Sequence, residues 1–411
     1  MIEIPDPSRF ENMLSGKTVI VGTGASISVY RIPDLIRDLR REGASVSVIM
    51  TKNSQDMISP KVMEWASENP VVTEISGRIE HISLFQHDPG NTSFLVSPAS
   101  YDLIGKMANG ISDDTVSLSF SFALGNGNPV VIAPAMHKAM METPMNRKNI
   151  QTLESSGVLV VPPGMESDKA KLSGNDQVID YVARSFFGKE LRGKKILIVS
   201  GSSRVRIDSV RDIVNGSTGF SGYWLCRNAF RLGAQFITYI GNSEYAIPPY
   251  TDFHPAGTNR EYMDETMKAL KQHDYDMVIV PAALSDFTIP GSKSDEKLHS
   301  GVKHTIELHP HEKIISGIRK AYMGKIVSFS LSPETNPEKI REKYSNTNPD
   351  MIVHNTLMPN RENFGAGKNM YTFIGKDRVI SPGLLTKQDM TLLVLREMNR
   401  MPGSEFAREN Q

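Results

Sequence analysis

An α/β architecture of two tandem domains is what this sequence predicts, and three observations carry the prediction. The chain has 411 residues, enough for two or three domains with a sizeable core in each. Short apolar runs alternate with segments of helical period along most of its length, as strands wrapped by helices do. A charged, glycine-bearing stretch, "RSFFGKELRGKK" at 184–195, interrupts the alternation, which restarts with "KILIVSGSS". The boundary is therefore expected near residue 190, giving domains 1–190 and 191–411.

Taken in order, "KTVIVG" reads as the first strand. It is followed by "YRIPDLIRDLRREG", whose Ile32, Leu35, Ile36 and Leu39 share one helical face before Gly43 ends the helix. "SVSVIMT", "FLVSPA", "PVVIAPA" and "VLVVPP" read as further strands, with "YDLIGKMANG" and "KNIQTLESSG" as helices between them. Near-continuous apolar strands separated by helices describe a parallel sheet covered on both faces. Beyond the boundary, "GYWLCRNAFRLGA" and "EYMDETMKALKQH" have helical period, while "QFITYIG", "DMVIVPAA", "KIVSFSL", "DMIVHN" and "MYTFIG" read as strands. "TLLVLREMNRM" closes the chain as an amphipathic helix. In each domain, loops at the carboxyl edge of the sheet are the expected ligand sites.

Composition narrows the function. Lys plus Arg equals Asp plus Glu at 46 each, so the basic excess of a nucleic-acid or membrane-surface protein is missing. No apolar run reaches the roughly 18 residues of a membrane span, and "MIEIPDPSRF" lacks a secretory pattern, so a cytoplasmic protein is expected. Cys226 is the only cysteine, which rules out an internal disulfide framework and multi-cysteine metal sites. It lies in an apolar helical pattern, where a buried thiol behaves as a small hydrophobe.

The stretch "GTGASISVYR", 22–31, is built to hold an anion. Gly22 and Gly24 allow a tight turn, and Ser26 sits where a helix begins, so free backbone N–H groups and the helix dipole converge on one point. A dinucleotide would need a third placed glycine and an acidic residue closing the next strand. That strand ends "IMTKNS", with Thr51 and Lys52, so a mononucleotide phosphate fits better.

Four stretches together, this loop, "EHISL" at 80–84, "SPASYDLIGKMANGISDD" at 97–114 and "APAMHKAMMETPMNRKNIQTLESSGV" at 133–158, resemble the flavin-dependent cysteine decarboxylases. The resemblance spans about 150 residues in order and implies a flavodoxin- or Rossmann-like domain binding FMN. It implies that Gly24 and Ser26 hold the FMN phosphate and that Thr51, Ala99 and Ser100 line the flavin. It also implies that His81 is the catalytic histidine and that Met136 and His137 contact the substrate. It further implies that the substrate thiol is oxidised to a thioaldehyde, which serves as the electron sink while CO2 departs. The chain departs from the family twice. The family motif "PAMN" is "PAMH" here, so His137 replaces an amide donor with an imidazole N–H. The cysteine of the family's flap is absent from "MESDKAKLSGNDQ", leaving Lys169, Lys171 or solvent as the acid of the reductive half.

The second half resembles the phosphopantothenate–cysteine ligases through "VRDIVNGSTGFSG", "PAALSDFTIPGSKSDEKL", "SFSLSPET" and "IVHNTL…NFGAGKN", in order. This implies a Rossmann-like ligase domain that nucleotidylates a carboxylate before amide formation. Arg211 and Asn215 would hold the acyl intermediate, Ser217, Thr218 and Gly219 form an N–H cradle, and Ala283 borders the nucleotide. Asp286 would face the nucleotide or its Mg2+, Lys297 the phosphates and reacting carboxylate, and Asn355 and Phe364 the nucleotide end. Phe220 stands where the family loop has lysine and "EKLHSG" where it has "EKIKK", so His299 and Lys303 are the candidates to restore charge.

Together the two resemblances imply consecutive steps: joining 4′-phosphopantothenate to cysteine, then decarboxylating the product to 4′-phosphopantetheine. The residues leave CTP and ATP both open, and the resemblance favours CTP. It also implies homo-oligomers, with trimeric flavin domains, dimeric ligase domains and dodecamers of the fusion. Two other readings stand beside this one. One is a working ligase whose flavin domain is non-catalytic or stops at the enethiol; the other is a flavin prenyltransferase, against which the fused second half argues.

Overall fold

The structure is a computed structural model that describes residues 2–3, 12–86, 88–166, 169–290, 297–357 and 367–401. Its chain divides into two compact units: residues 10–189, and residues 190–411 together with 1–9. Among the described residues no helix is long and apolar enough to cross a membrane.

The first unit is a six-stranded sheet, with strands β1 (Thr18–Thr23), β2 (Ser45–Met50), β3 (Val71–Val72), β4 (Thr92–Ala99), β5 (Val130–Pro134) and β6 (Leu159–Val160). Their spatial order is β3-β2-β1-β4-β5-β6, and every pairing is parallel. All eight residues of β4 are buried, as a strand covered on both faces requires. Helix α1 (Ile32–Arg41) buries the face expected of it, Ile32, Leu35, Ile36 and Leu39, and Gly43 follows at φ 92°.

Helices α2 (Pro60–Ser67), α3 (Tyr101–Ala108), α4 (Thr115–Gly125), α5 (Pro144–Ser155) and α6 (Asn175–Phe187) complete this unit. Two of them have no counterpart among the helices read from the sequence. Helix α4, "TVSLSFSFALG", alternates hydroxyl and apolar residues, so its period imitates a strand. A capping box between Asp114 and Ser117 starts it as a helix. Helix α6 runs through Phe187, so the first residues of the stretch read as a linker are helical and pack on the first core.

The second unit is built on a nine-stranded sheet. Its principal strands are β7 (Lys195–Ser200), β8 (Phe236–Gly241), β9 (Asp252–Pro255), β10 (Met277–Val280), β11 (Lys325–Ser332), β12 (Met351–Thr356), β13 (Asn369–Gly375) and β14 (Val379–Leu385). The order is β14-β13-β12-β11-β10-β7-β8-β9, with the two-residue strand Ile2–Glu3 parallel to β14 at the edge. Strands β7 to β12 are parallel, whereas β13 runs antiparallel to both of its neighbours. Strand β14 has no clear sequence signature because "VISPGLL" carries Pro382 and Gly383 inside it. The helices are α7 (Phe220–Arg231), α8 (Asn259–Gln272), α9 (Ile314–Ala321), α10 (Pro337–Glu342) and α11 (Lys387–Arg400).

Cys226 is fully buried on α7, and desolvation pushes its thiol up to about 12. The native protein is expected to react with no equivalent of a thiol reagent at pH 8, and with one after unfolding in denaturant. A second expectation concerns Gly24, where an added Cβ would lie 2.6 Å from Leu103 Cδ1 and 2.7 Å from the Pro98 carbonyl oxygen. Gly24→Ala should therefore cost about 1–3 kcal/mol in thermal or denaturant unfolding, because the Pro98 backbone must shift.

Candidate active sites

Strand order decides where ligands can sit. In the first unit the chain crosses from β1 to β2 on one side and reaches β4 on the other, so the loops after β1 and β4 diverge and leave a crevice at their carboxyl ends. Gly24 follows β1, Ala99 and Ser100 close and follow β4, and Thr51 follows β2. The structure thus brings all the expected flavin-side residues to one sheet edge. Gly24 N–H donates to the Pro98 carbonyl at 3.1 Å, locking the two diverging loops together. Ser26 has extended backbone ahead of the turn Ile27–Arg31, and its hydroxyl makes no capping bond.

Thr51 and Ser100 are helix caps. Thr51 Oγ1 accepts from Ser54 N–H at 3.2 Å, and Ser100 Oγ accepts from Leu103 N–H at 3.3 Å. Ala99 is fully buried, and its carbonyl accepts from Ala135 N–H at 3.1 Å. These three residues shape the crevice; in the Gly24–Ser26 turn the Gly24 and Ser26 amides bond to the Pro98 and Gly24 carbonyls, and the Ser26 hydroxyl makes no capping bond.

His81 sits on the short helix Glu80–Ser83, which begins after Ile79 in the left-handed region at φ 48°. The Glu80 carboxylate accepts from the Ser76 hydroxyl and from Ser76 N–H, and these bonds hold it below the usual carboxylate range. His81 Nδ1 is buried and makes no hydrogen bond. A buried imidazole nitrogen without a partner is costly unless a bound group meets it.

His137 is exposed and caps the turn Lys138–Met141, its Nδ1 accepting from Ala139 N–H at 3.2 Å. In the neutral ring that bond puts the proton on Nε2, which becomes an outward donor. Half-buried Met136 precedes it, and the strand Met136–His137 pairs antiparallel with Lys169–Lys171, itself paired with Gly164–Glu166. The segment that lacks the family's flap cysteine is therefore a hairpin in register with His137.

The second unit repeats the arrangement. Strand β7 lies between β8 and β10, and the loops after β7 and β10 meet through a parallel bridge between Ser202 and Ala283. Ser203 Oγ accepts from Ser285 N–H at 2.7 Å, and Asn215 Nδ2 donates to the Ala283 carbonyl at 3.1 Å. The hairpin Arg204–Arg206/Asp212–Val214 carries Arg211 and Asn215 to this edge.

The turn of that hairpin is organised by Asp208, which the sequence reading passed over. Its buried carboxylate accepts from Val210 and Arg211 N–H at 2.8 Å each, from Arg211 Nη1 at 2.7 Å and from Leu298 N–H at 3.1 Å. The backbone donor of Val210 above all keeps this carboxyl below its usual range. Through Leu298 the same carboxylate fixes the backbone next to Lys297, so Arg211 and Lys297 share an anchor. The pattern "DSVR", with an acidic residue two before a turn amide, was the available signal.

The Ser217–Gly219 segment opens α7. Gly219 is at φ 77°, and a Cβ there would lie 2.7 Å from the Asn242 carbonyl oxygen. Gly216, Ser217, Thr218, Gly219, Phe220 and Ser221 line a cleft with Ser200, Pro281 and Lys387. His299 and Lys303, expected to restore charge here, are exposed and do not line it; Lys387, which the sequence reading missed, does. Asp286 is exposed with its carbonyl accepting from His311 N–H at 2.8 Å, Lys297 is exposed, and Asn355 is half-buried on β12. Phe364 lies outside the described residues. Among the described residues there is no group of three or more His, Cys, Asp or Glu side chains that could hold a metal.

Comparison with known proteins matches residues 7–187 to the Flavoprotein family and 191–401 to the DNA/pantothenate metabolism flavoprotein C-terminal domain. The coenzyme A biosynthesis bifunctional protein CoaBC of Thermococcus kodakarensis is 32% identical over 94% of this chain and 96% of its own. Its namesake from Bacillus subtilis is 29% identical over 94% and 97%. Among solved structures, the C-terminal domain of a CoaBC protein covers 54% of this chain and all of its own at 24% identity and a TM-score of 0.42. The peptidyl-cysteine decarboxylase EpiD covers 41% of this chain and 98% of its own at 29% and 0.35. With relatives matched end to end, the chain belongs to the family of bifunctional coenzyme A biosynthesis proteins, in which a flavoprotein decarboxylase and a ligase share one polypeptide.

Proposed function

We propose that residues 191–411 join 4′-phosphopantothenate to cysteine at the expense of CTP, and that residues 1–190 decarboxylate the product to 4′-phosphopantetheine. The observation that carries the decarboxylase assignment is the buried, unpartnered Nδ1 of His81. The Gly24–Ser26 turn, whose Ser26 hydroxyl makes no capping bond and whose glycine is crowded by Leu103 and Pro98, would hold the FMN phosphate. FMN, when bound, supplies a two-electron acceptor beside the substrate thiol. His81 holds or passes a proton at that point, and His137 donates from Nε2 to the substrate carboxylate, with Met136 packing beside it. Lys169 or Lys171 of the facing hairpin, or solvent, replaces the missing cysteine as acid.

In the ligase half, Asn215 and Arg211 orient the acyl intermediate, and Ser217, Thr218 and Gly219 present N–H groups to it. Lys297 offsets charge on the phosphates and the reacting carboxylate. Asp286 faces the nucleotide and its Mg2+, with Ala283, Asn355 and Phe364 around the base and sugar. A cytoplasmic homo-oligomer fits this reading, with trimers of the flavin domain, dimers of the ligase domain and dodecamers of the whole. Ile27 and Tyr30, 79% and 67% exposed beside the Gly24–Ser26 turn, are apolar surface that a second copy would cover.

Incubating the protein with 4′-phosphopantothenate, cysteine, CTP and Mg2+ and following products by mass spectrometry tests the assignment. His81→Asn should lower CO2 release by about 10²- to 10⁴-fold while phosphopantothenoylcysteine still accumulates. Lys297→Gln should lower ligation by about 10²- to 10³-fold and leave decarboxylation of added phosphopantothenoylcysteine intact. Undiminished activity in either variant would remove that residue from its role. The final product is expected to be the saturated thiol; accumulation of an enethiol, seen by its ultraviolet absorbance in a single turnover, would favour the reading in which the first domain stops halfway.

A further inference from the structure

The cleft at the start of α7 is lined by one cation, and that cation comes from the far end of the chain. Lys387 is the first residue of α11, after the cap Thr386, whose hydroxyl accepts from Asp389 N–H at 3.1 Å. Helix α11 packs on α7, and Asn228 Nδ2 pins the two together through the Gln388 carbonyl and Thr391 Oγ1, both at 2.9 Å. This docking carries the Lys387 side chain into the cleft formed by Gly216–Ser221, Ser200 and Pro281. Only 9% of Lys387 is exposed. Its ammonium lies 5.5 Å from the centre of the Phe220 ring, and among the described residues no carboxylate pairs with it.

Burying an ammonium without an anion is costly, and one aromatic face recovers a small part of the loss. Desolvation accordingly holds this lysine below its usual range. On the other side of the cleft, the residue capping α7 is Gly219, which has no side chain to occupy the first N–H groups of the helix. An unpaired buried cation and uncapped helix donors thus face the same small volume. Phe220 itself occupies the loop position where a lysine would be expected, so the loop carries no cation of its own. Phe220 also stacks on Tyr245, with ring centroids 4.4 Å apart, which fixes the wall that Lys387 lies against.

We propose that Lys387 is a phosphate-binding residue of the ligase site, gripping one phosphate group between its ammonium and the N–H groups at the start of α7. The inference rests on the ligase reading given above. Two substrates of that reaction bring such a group, the nucleoside triphosphate and 4′-phosphopantothenate, and the chemistry of the cleft is the same for either. The C-terminal helix then contributes directly to substrate binding in addition to covering the sheet.

Titration calorimetry on the full-length protein tests this with CTP and Mg2+ in one arm and 4′-phosphopantothenate in the other. Lys387→Met keeps the length of the side chain and removes a desolvated charge, so its melting temperature should not fall. Its affinity should drop about tenfold or more for one of the two ligands, the arm affected naming the source of the phosphate, and Lys387→Arg should recover a large part of it. On the wild-type protein, acetylation of Lys387 followed by peptide mass spectrometry should be slowed by the same ligand and not by cytidine or pantothenate. Equal affinities of wild type and Lys387→Met for both ligands, or acetylation that neither ligand slows, overturns the role of Lys387. A wild-type protein that binds neither ligand would instead overturn the ligase reading on which the inference stands.

Discussion

Parallel pairing is the constraint on which the rest depends. A strand that runs beside its neighbour in the same direction can be reached only by a crossover, and the crossovers must pack on one face of the sheet or the other. Where two adjacent strands send their connections to opposite faces, a crevice at the carboxyl edge is unavoidable. Both sheets contain such a point, between β1 and β4 and between β7 and β10. The loops that carry Gly24 and Ser100 lie at the first of these points, and those that carry Ser202 and Ala283 at the second.

Within that frame, small polar residues decide which groups remain available. Thr51, Ser100 and His137 each cap a helix or helical turn, so their acceptor atoms are already committed. For His137 the commitment is useful, since capping through Nδ1 sets the tautomer that points a donor outward. Asp208 plays the corresponding part in the second unit, where four donors on a single buried carboxylate hold a hairpin turn, a guanidinium and the backbone beside Lys297.

The sequence made the alternating architecture legible because buried parallel strands are continuous apolar runs, and β1, β4, β5, β7 and β10 stand out for that reason. Helix α4 was illegible because its serines fall at alternate positions, and β14 because Pro382 and Gly383 break its pattern. The glycines and histidines proposed for the sites could be singled out in the sequence, since a turn or an imidazole in a motif carries its own chemistry. Asp208 and Lys387 could not: an aspartate in a polar stretch and a lysine before an amphipathic helix look like solvated surface, and only tertiary packing buries them.

The position of Cys226 has a consequence for an enzyme that handles small thiols. The disulfides that cysteine and the thiol product form on oxidation can each be attacked by an accessible protein thiolate, which releases one small thiol and traps the polypeptide as a mixed disulfide. Here the sole thiol is buried on α7 and its ionisation is disfavoured by desolvation, so neither molecule finds an attacking partner on the protein. The polypeptide is thereby insulated from the thiol chemistry of what it makes.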